Sequence, residues 1–434
     1  MKKYKIVILV CAFTLLGIFT CRVSKTSNVY EENENNQMKK QVNTISMMLE
    51  TEAGSGKYEM TTRDSWPTEG YVFNSTLSKC ENGGELSWDD TNKKVLMSGN
   101  ISDKCYVYFD IETKVFLADY VKSLYTGTQG DNNIYYHDSS LENGAGDNSY
   151  RYSGASDEVN NYVCFGSEDE TCPEDNLYRI IGVFDGKVKL IKSTGTTNTL
   201  LGTDGTYTSN SRSYAWTDLD SCPSTTAYKF DNNVVVLSNK NILGAVPDGG
   251  KSGCNMWKYS NLNSVNLNTN FITNLGIKWA ALVDNATWKV SGYSTANVTA
   301  KTMYTAEITN ATKTYGPSDG TSKIGLMYAS DYGFAASPSA WTTLLSSYND
   351  SSIKSTNWIY NAGMEWTMTP YSSDSYSVFI LSYVSTVSNT GNLGTWSSLG
   401  AAAGFGTRPA MYLNASVVYT RGSGTASDPI RIEI

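Results

Sequence analysis

The sequence predicts an α+β fold, and three observations carry that prediction. The run "LYRIIGVFDGKVKLIKST" sets Asp185-Gly186 between two apolar stretches, the residue pair that a two-residue type I′ hairpin turn needs. In "IETKVFLADYVKSLY" the residues Phe116, Tyr120 and Leu124 recur every fourth position, which places them on one face of a helix. Only 18 % of the 434 residues are charged, against 30 Tyr and 10 Trp. That palette suits β-rich extracellular domains, in which Tyr and Trp form large amphipathic contact surfaces. The length allows two or three domains and at least one full core.

The elements follow in chain order. "MKKYK" precedes the uncharged apolar run "IVILVCAFTLLGIFTC", residues 6–21. A basic start before such a run is an export signal. The run is shorter than the roughly 20 residues that span a bilayer comfortably, and Lys2, Lys3 and Lys5 favour a cytoplasmic N-terminus. Residues 1–27 therefore read as a signal peptide or an uncleaved membrane anchor. Cys21 lacks the small preceding residue that lipid attachment requires. Residues 28–44 are polar and read as a linker or short stalk. Residues 45–110 form a small β module, with "ELSWDD" and "KKVLMSG" as strands around a turn and "CYVYFD" as its closing strand.

Residues 111–434 form the larger domain. The glycine-, asparagine- and serine-rich stretch 127–160 reads as loop. "TNFITNLGIKWAALVD" and "TAKTMYTAEITNAT" read as a helix fragment and a helix, and "KIGLMYASDYGFA" as a strand entering a loop. "RPAMYLNASVVYTRGSGTASDPIRIEI" reads as two strands about a glycine-rich turn.

Cysteine usage agrees with export. Six cysteines follow the apolar run, and sequence proximity suggests the pairs Cys80–Cys105, Cys164–Cys172 and Cys222–Cys254 among 15 possible connectivities. No C-x-x-C pair occurs, so zinc or thioredoxin-like redox chemistry has no support. The net charge of −8 offers no basic footprint for nucleic acid. A catalytic triad or a His-bearing zinc site would have to pass through the single histidine, His137. It sits in "NNIYYHDSS" and reads as a solvated loop residue.

Four stretches in this order, "YRIIGVFDGKVKLIK", "KIGLMYASDYGFA", "WTMTPYSSDSYSVF" and "GTRPAMYLNASVVYTRGSGTASDPIRI", resemble a family of exported bacterial surface proteins. The resemblance implies a C-terminal C-type-lectin-like domain, related to the formylglycine-generating-enzyme fold. Gly406, Arg408, Pro409, Ala410, Tyr412 and Leu413 match that fold's final core strand. The bridged module that often precedes it resembles "GYVFNSTLSKCENGGELSWDDTNKKVLMSGNISDKCYVYFD". Some proteins of this fold carry a retroelement-diversified segment before the closing strand, and residues 366–405 occupy that place.

The sequence offers little chemistry. The cysteines depart from the oxidase pattern that the fold relationship suggests, and no E-P-N, Q-P-D or W-N-D sugar-binding element occurs. Glu168, Asp169, Glu170, Glu174 and Asp175 cluster hard oxygen ligands without EF-hand spacing, and read as a solvated acidic loop. Glu365, Asp374 and Asp331 are carboxylates that a glycosidase would need in pairs. No G-x-S-x-G elbow, Walker loop or H-E-x-x-H is present, and no cofactor or metal is expected.

What remains is binding. "YSSDSYSVFILSYVSTVSNTGNLGTW" is rich in Tyr, Ser, Asn and Gly, like antibody loops. Tyr371, Asp374, Tyr376, Tyr383 and Trp396 are the contact candidates. The expectation is a non-enzymatic cell-surface adhesion protein that binds an extracellular protein or glycan and joins the membrane through its N-terminal segment. The alternatives are a secreted carbohydrate-active enzyme using carboxylates and a structural surface spacer.

Overall fold

A computed structural model describes side chains over 45–67, 69–98, 103–207, 214–215, 257, 260–293, 295–309, 321–370, 391–393 and 404–433. It adds backbone alone at 12–13, 19–20, 27–32, 38–44, 208, 213, 227–230, 233–236, 320, 378–381 and 394–395. The architecture is mixed α+β and mostly sheet, with two disulfides. The chain divides into two compact units, Met1–Lys114 and Val115–Ile434. Most of the export segment lies outside the described residues; within it, Ala12–Phe13 pairs with Phe19–Thr20. No helix among the described residues is long and apolar enough to cross a membrane.

Over the stretch read as a linker, the backbone forms a hairpin of Ser27–Glu32 against Met38–Glu50. The second strand runs on into a sheet, pairing in parallel with Lys104–Ile111. Among the described residues the core of this first unit is small, built on Met47, Trp66, Val107 and Phe109. Phe109 receives the edges or faces of Trp66, Phe73 and Trp88. Cys80 and Cys105 are opposed across paired strands and form a disulfide. Two carboxylates tie loops to this sheet. Glu50 accepts from the backbone N–H of Gly56 and of Ile111 at 3.0 and 2.9 Å. Asp103 accepts from Asn82 and Gly84 N–H at 2.8 and 3.0 Å.

The second unit is built on an antiparallel sheet. In order it joins Ile134–His137, Ser149–Tyr152, Leu177–Phe184, Lys187–Lys192, Ala410–Tyr412 and Ile324–Gly325, and Tyr162–Cys164 pairs beside Leu177–Phe184. The Asp185-Gly186 turn forms as the sequence requires, with both residues at positive φ, 48° and 76°. A bulge interrupts the pairing between Ile180 and Gly182. There the strands approach so closely that a Cβ on Gly182 would meet the Tyr150 carbonyl oxygen at 2.3 Å, so only glycine fits. The closing strand lies inside the sheet, between Lys187–Lys192 and Ile324–Gly325.

The first helix forms over Leu117–Ser123 but buries Leu117, Ala118 and Val121. The every-fourth pattern of Phe116, Tyr120 and Leu124 marks a different face. Phe116 is an exposed strand residue, and Tyr120 stacks on Tyr419 at 3.7 Å between ring centroids. The stretch after Leu326, read as a loop, is the helix Ala329–Ala335, buried on every side. Asp331 stabilises its start by accepting from the Tyr328 N–H at 2.9 Å. The helix Ala300–Tyr304 is N-capped by Thr299 and passes into a π-turn, Thr305–Thr309. The predicted helix fragment is the run Leu262–Leu282, broken at Gly276. Cys164 and Cys172 are bridged. Cys222 and Cys254 lie outside the described residues.

Candidate functional site

The contact segment is rooted in a strand whose six residues, Glu365–Pro370, are all buried. Trp366 donates its indole N–H to the Tyr214 carbonyl at 2.7 Å and meets Phe405 edge-on. This strand pairs with Val378–Leu381, which pairs with Leu393–Thr395. The five contact candidates, Tyr371, Asp374, Tyr376, Tyr383 and Trp396, lie outside the described residues, as does the face of Phe379 and Leu381.

At the root of this segment lies a groove of about 670 Å³. Its walls come from four stretches: Pro173–Asp175, Thr194–Thr197, Asn361–Glu365 and Gly406–Thr407. The last two flank the contact segment on either side. Bound charge fixes the geometry. Arg408 donates from Nε to Glu365 Oε2 at 2.7 Å and from Nη2 to the Ile359 carbonyl at 2.7 Å. Glu365 Oε1 accepts from Asn361 Nδ2 at 2.7 Å. Burial raises the Glu365 carboxyl above its usual range, opposed by Arg408 and Asn361. Both oxygens are engaged, so this carboxylate is a structural acceptor rather than a poised acid. Its suggested catalytic partner Asp374 lies outside the described residues.

Two polar groups of the groove have no partner among the described residues. Thr196 Oγ1 and Thr407 Oγ1 are both buried, and neither has a hydrogen-bond partner among the described residues. A buried hydroxyl without a partner costs about 1–3 kcal/mol, so two along one groove are a local deficit that a ligand oxygen or N–H would relieve. Sequence reasoning missed both threonines. The only signal was their place, Thr407 beside Arg408 in "GTRPA" and Thr196 in "STGTTN".

One other residue differs from expectation. His137 is not a solvated loop residue: it ends a strand, is fully buried, and packs on Phe334 and Trp341 at 5.0 and 5.1 Å. Its Nδ1 accepts from the Ala145 N–H at 3.0 Å. Burial, and then the Arg151 charge, hold its pKa well below the ordinary value, so the ring is neutral at pH 7. Asp331, weighed as a catalytic carboxylate, is buried in ion pairs with Lys189 and Arg151. In the acidic loop, Glu168 pairs with Lys278, and Asp175 receives Lys192 at 3.6 Å. The cluster of potential metal ligands among the described residues is Cys80, Asp103 and Cys105, whose two sulfurs are spent on the disulfide.

Comparison with family models, with curated proteins and with solved structures gives no match for this chain.

Proposed function

We propose that this chain is an exported, surface-held binding protein whose larger unit is C-type-lectin-like. Its contact face combines the segment 366–405 with the groove at that segment's root. The observation that carries this reading is the groove itself: it is flanked by both ends of the Tyr- and Ser-rich segment and holds two buried hydroxyls with no partner among the described residues. The paired strands Glu365–Pro370, Val378–Leu381 and Leu393–Thr395 supply a fixed support, and the stretches that connect them carry Tyr371, Asp374, Tyr376 and Tyr383. A rigid base carrying Tyr-rich connections suits recognition by shape and aromatic contact. Two disulfides favour an oxidising compartment. The ligand is an extracellular glycan or protein.

The test is binding of the full chain to immobilised glycans and extracellular glycoproteins, compared with Tyr371→Ala/Tyr376→Ala/Tyr383→Ala and with Thr407→Val. The triple variant should melt like the parent and lose binding, and Thr407→Val should weaken it. A triple variant that binds undiminished, or that unfolds because these tyrosines are core, rejects the site.

A further inference from the structure

A second concave site lies in the same unit, on the face of the main sheet. We infer that it binds one uncharged, polyhydroxylated ligand of monosaccharide size. Its floor is a row of paired residues running across four strands: Arg151 opposite Gly182, Gly182 opposite Lys189, Lys189 opposite Tyr412. Gly182 brings no side chain, so bare backbone separates the two cations. The cavity above this row measures about 280 Å³, room for a single sugar ring and too little for an oligomer.

Charge decides the ligand class. Three cations, Arg151, Lys189 and Lys289, and three carboxylates, Asp147, Asp185 and Asp331, line the cavity. Arg151 donates to Asp147 at 2.6 Å and Lys189 to Asp331 at 2.6 Å. These four side chains have little or no solvent contact. An ionic ligand would add an unbalanced charge to a site that is already neutral, at a large desolvation cost. A neutral ligand would not.

Hydrogen bonding decides the rest. One of the three Lys189 N–H groups reaches Asp331, and the ammonium otherwise faces rings, with Tyr328 nearest at 4.4 Å. Arg151 Nη1 stands 3.6 Å from Asp331, beyond hydrogen-bond reach. Ser330, 1 % exposed, adds a hydroxyl beside the Glu307 carboxyl. The site therefore offers spare donors, carboxylate acceptors and a hydroxyl that can do either, the mixture that ligand hydroxyls match. Tyr328 and Tyr412 supply the apolar wall that the C–H side of a ring needs.

The experiment is calorimetric titration of the full chain with neutral monosaccharides and inositols, in parallel with uronic acids, amino sugars and inorganic phosphate. At least one neutral compound should bind at one site per chain. Ser330→Ala, which removes only that hydroxyl, should weaken that binding about five- to tenfold. Glu59→Gln, an exposed residue of the first unit that lines neither site, should leave it unchanged. Saturable binding by charged compounds alone, binding by none, or a Ser330→Ala titration identical to the parent would overturn the inference.

Discussion

At the residue scale the molecule hides its ionisable groups. Glu307 lies in the π-turn, accepts from the Thr369 hydroxyl at 2.5 Å, and is pushed up to about 8 by burial. Between its ordinary value of 4.5 and about 8 the folded chain keeps a proton that the unfolded chain has lost, so stability falls as pH rises across that window. His137 acts in the opposite direction. Its folded pKa is depressed, so its contribution is complete above 6.5 and is lost as pH falls and the unfolded imidazole takes a proton. Because His137 is the only histidine, the two slopes oppose each other below 6.5 and the Glu307 slope continues above it. The unfolding free energy from denaturant melts should therefore drop from pH 6.5 to 8, by on the order of 1–2 kcal/mol. Glu307→Gln should flatten that stretch, and His137→Gln should remove the acid-side loss. An unchanged slope in Glu307→Gln would mean that the carboxyl is already ionised at neutral pH. None of this was legible in the sequence. "NNIYYHDSS" looks solvated because the aromatics that bury His137, Phe334 and Trp341, stand about two hundred positions away. Lys189 in "KVKLIK" looks like a surface lysine because its partner Asp331 is 142 residues distant.

At the element scale, local signals were read well where the cause is local. Asp185-Gly186 specifies its turn through backbone sterics alone. A helix was read within residues 111–125 and forms over Leu117–Ser123, but the face marked by Phe116, Tyr120 and Leu124 is not its buried one, because Phe116 is drawn into a strand pair with Val418. The Ala329–Ala335 helix was missed because its sequence has no polar face to give a period, the pattern of a helix covered on all sides. The "GTRPA" element was legible as a core strand, but not as the holder of a buried ion pair. That pair carries the prediction at this scale. Arg408→Ala should cost about 3–5 kcal/mol, because it leaves the Glu365 carboxylate buried without its counter-charge. Arg408→Met combined with Glu365→Met should recover most of that loss, since the pair's own desolvation penalty goes with it. Urea melts of the three chains give the comparison. A double variant as unstable as Arg408→Ala would show that the guanidinium bond to the Ile359 carbonyl, not the ion pair, holds this strand.

At the scale of the whole molecule, the division into Met1–Lys114 and Val115–Ile434 sets two very different cores in one chain. The second unit buries an extended aromatic and aliphatic core that includes Trp257, Trp288, Trp341 and Trp366. Among the described residues, the first has a core of Met47, Trp66, Val107 and Phe109 and one disulfide between opposed strands. A core that small is marginal by itself, and closing a loop of 25 residues restricts the unfolded chain by roughly 3 kcal/mol in the chain-entropy model. Calorimetry of the full chain should therefore resolve two transitions. Cys80→Ser/Cys105→Ser should lower the one that belongs to the first unit by about that energy and leave the other in place. Cys164–Cys172 closes only 8 residues, so Cys164→Ser/Cys172→Ser should move the second transition by less. A single transition that shifts as one body with either pair of substitutions would mean that the two units unfold as one cooperative structure, and the small module would then owe its stability to the larger unit rather than to its own bridge.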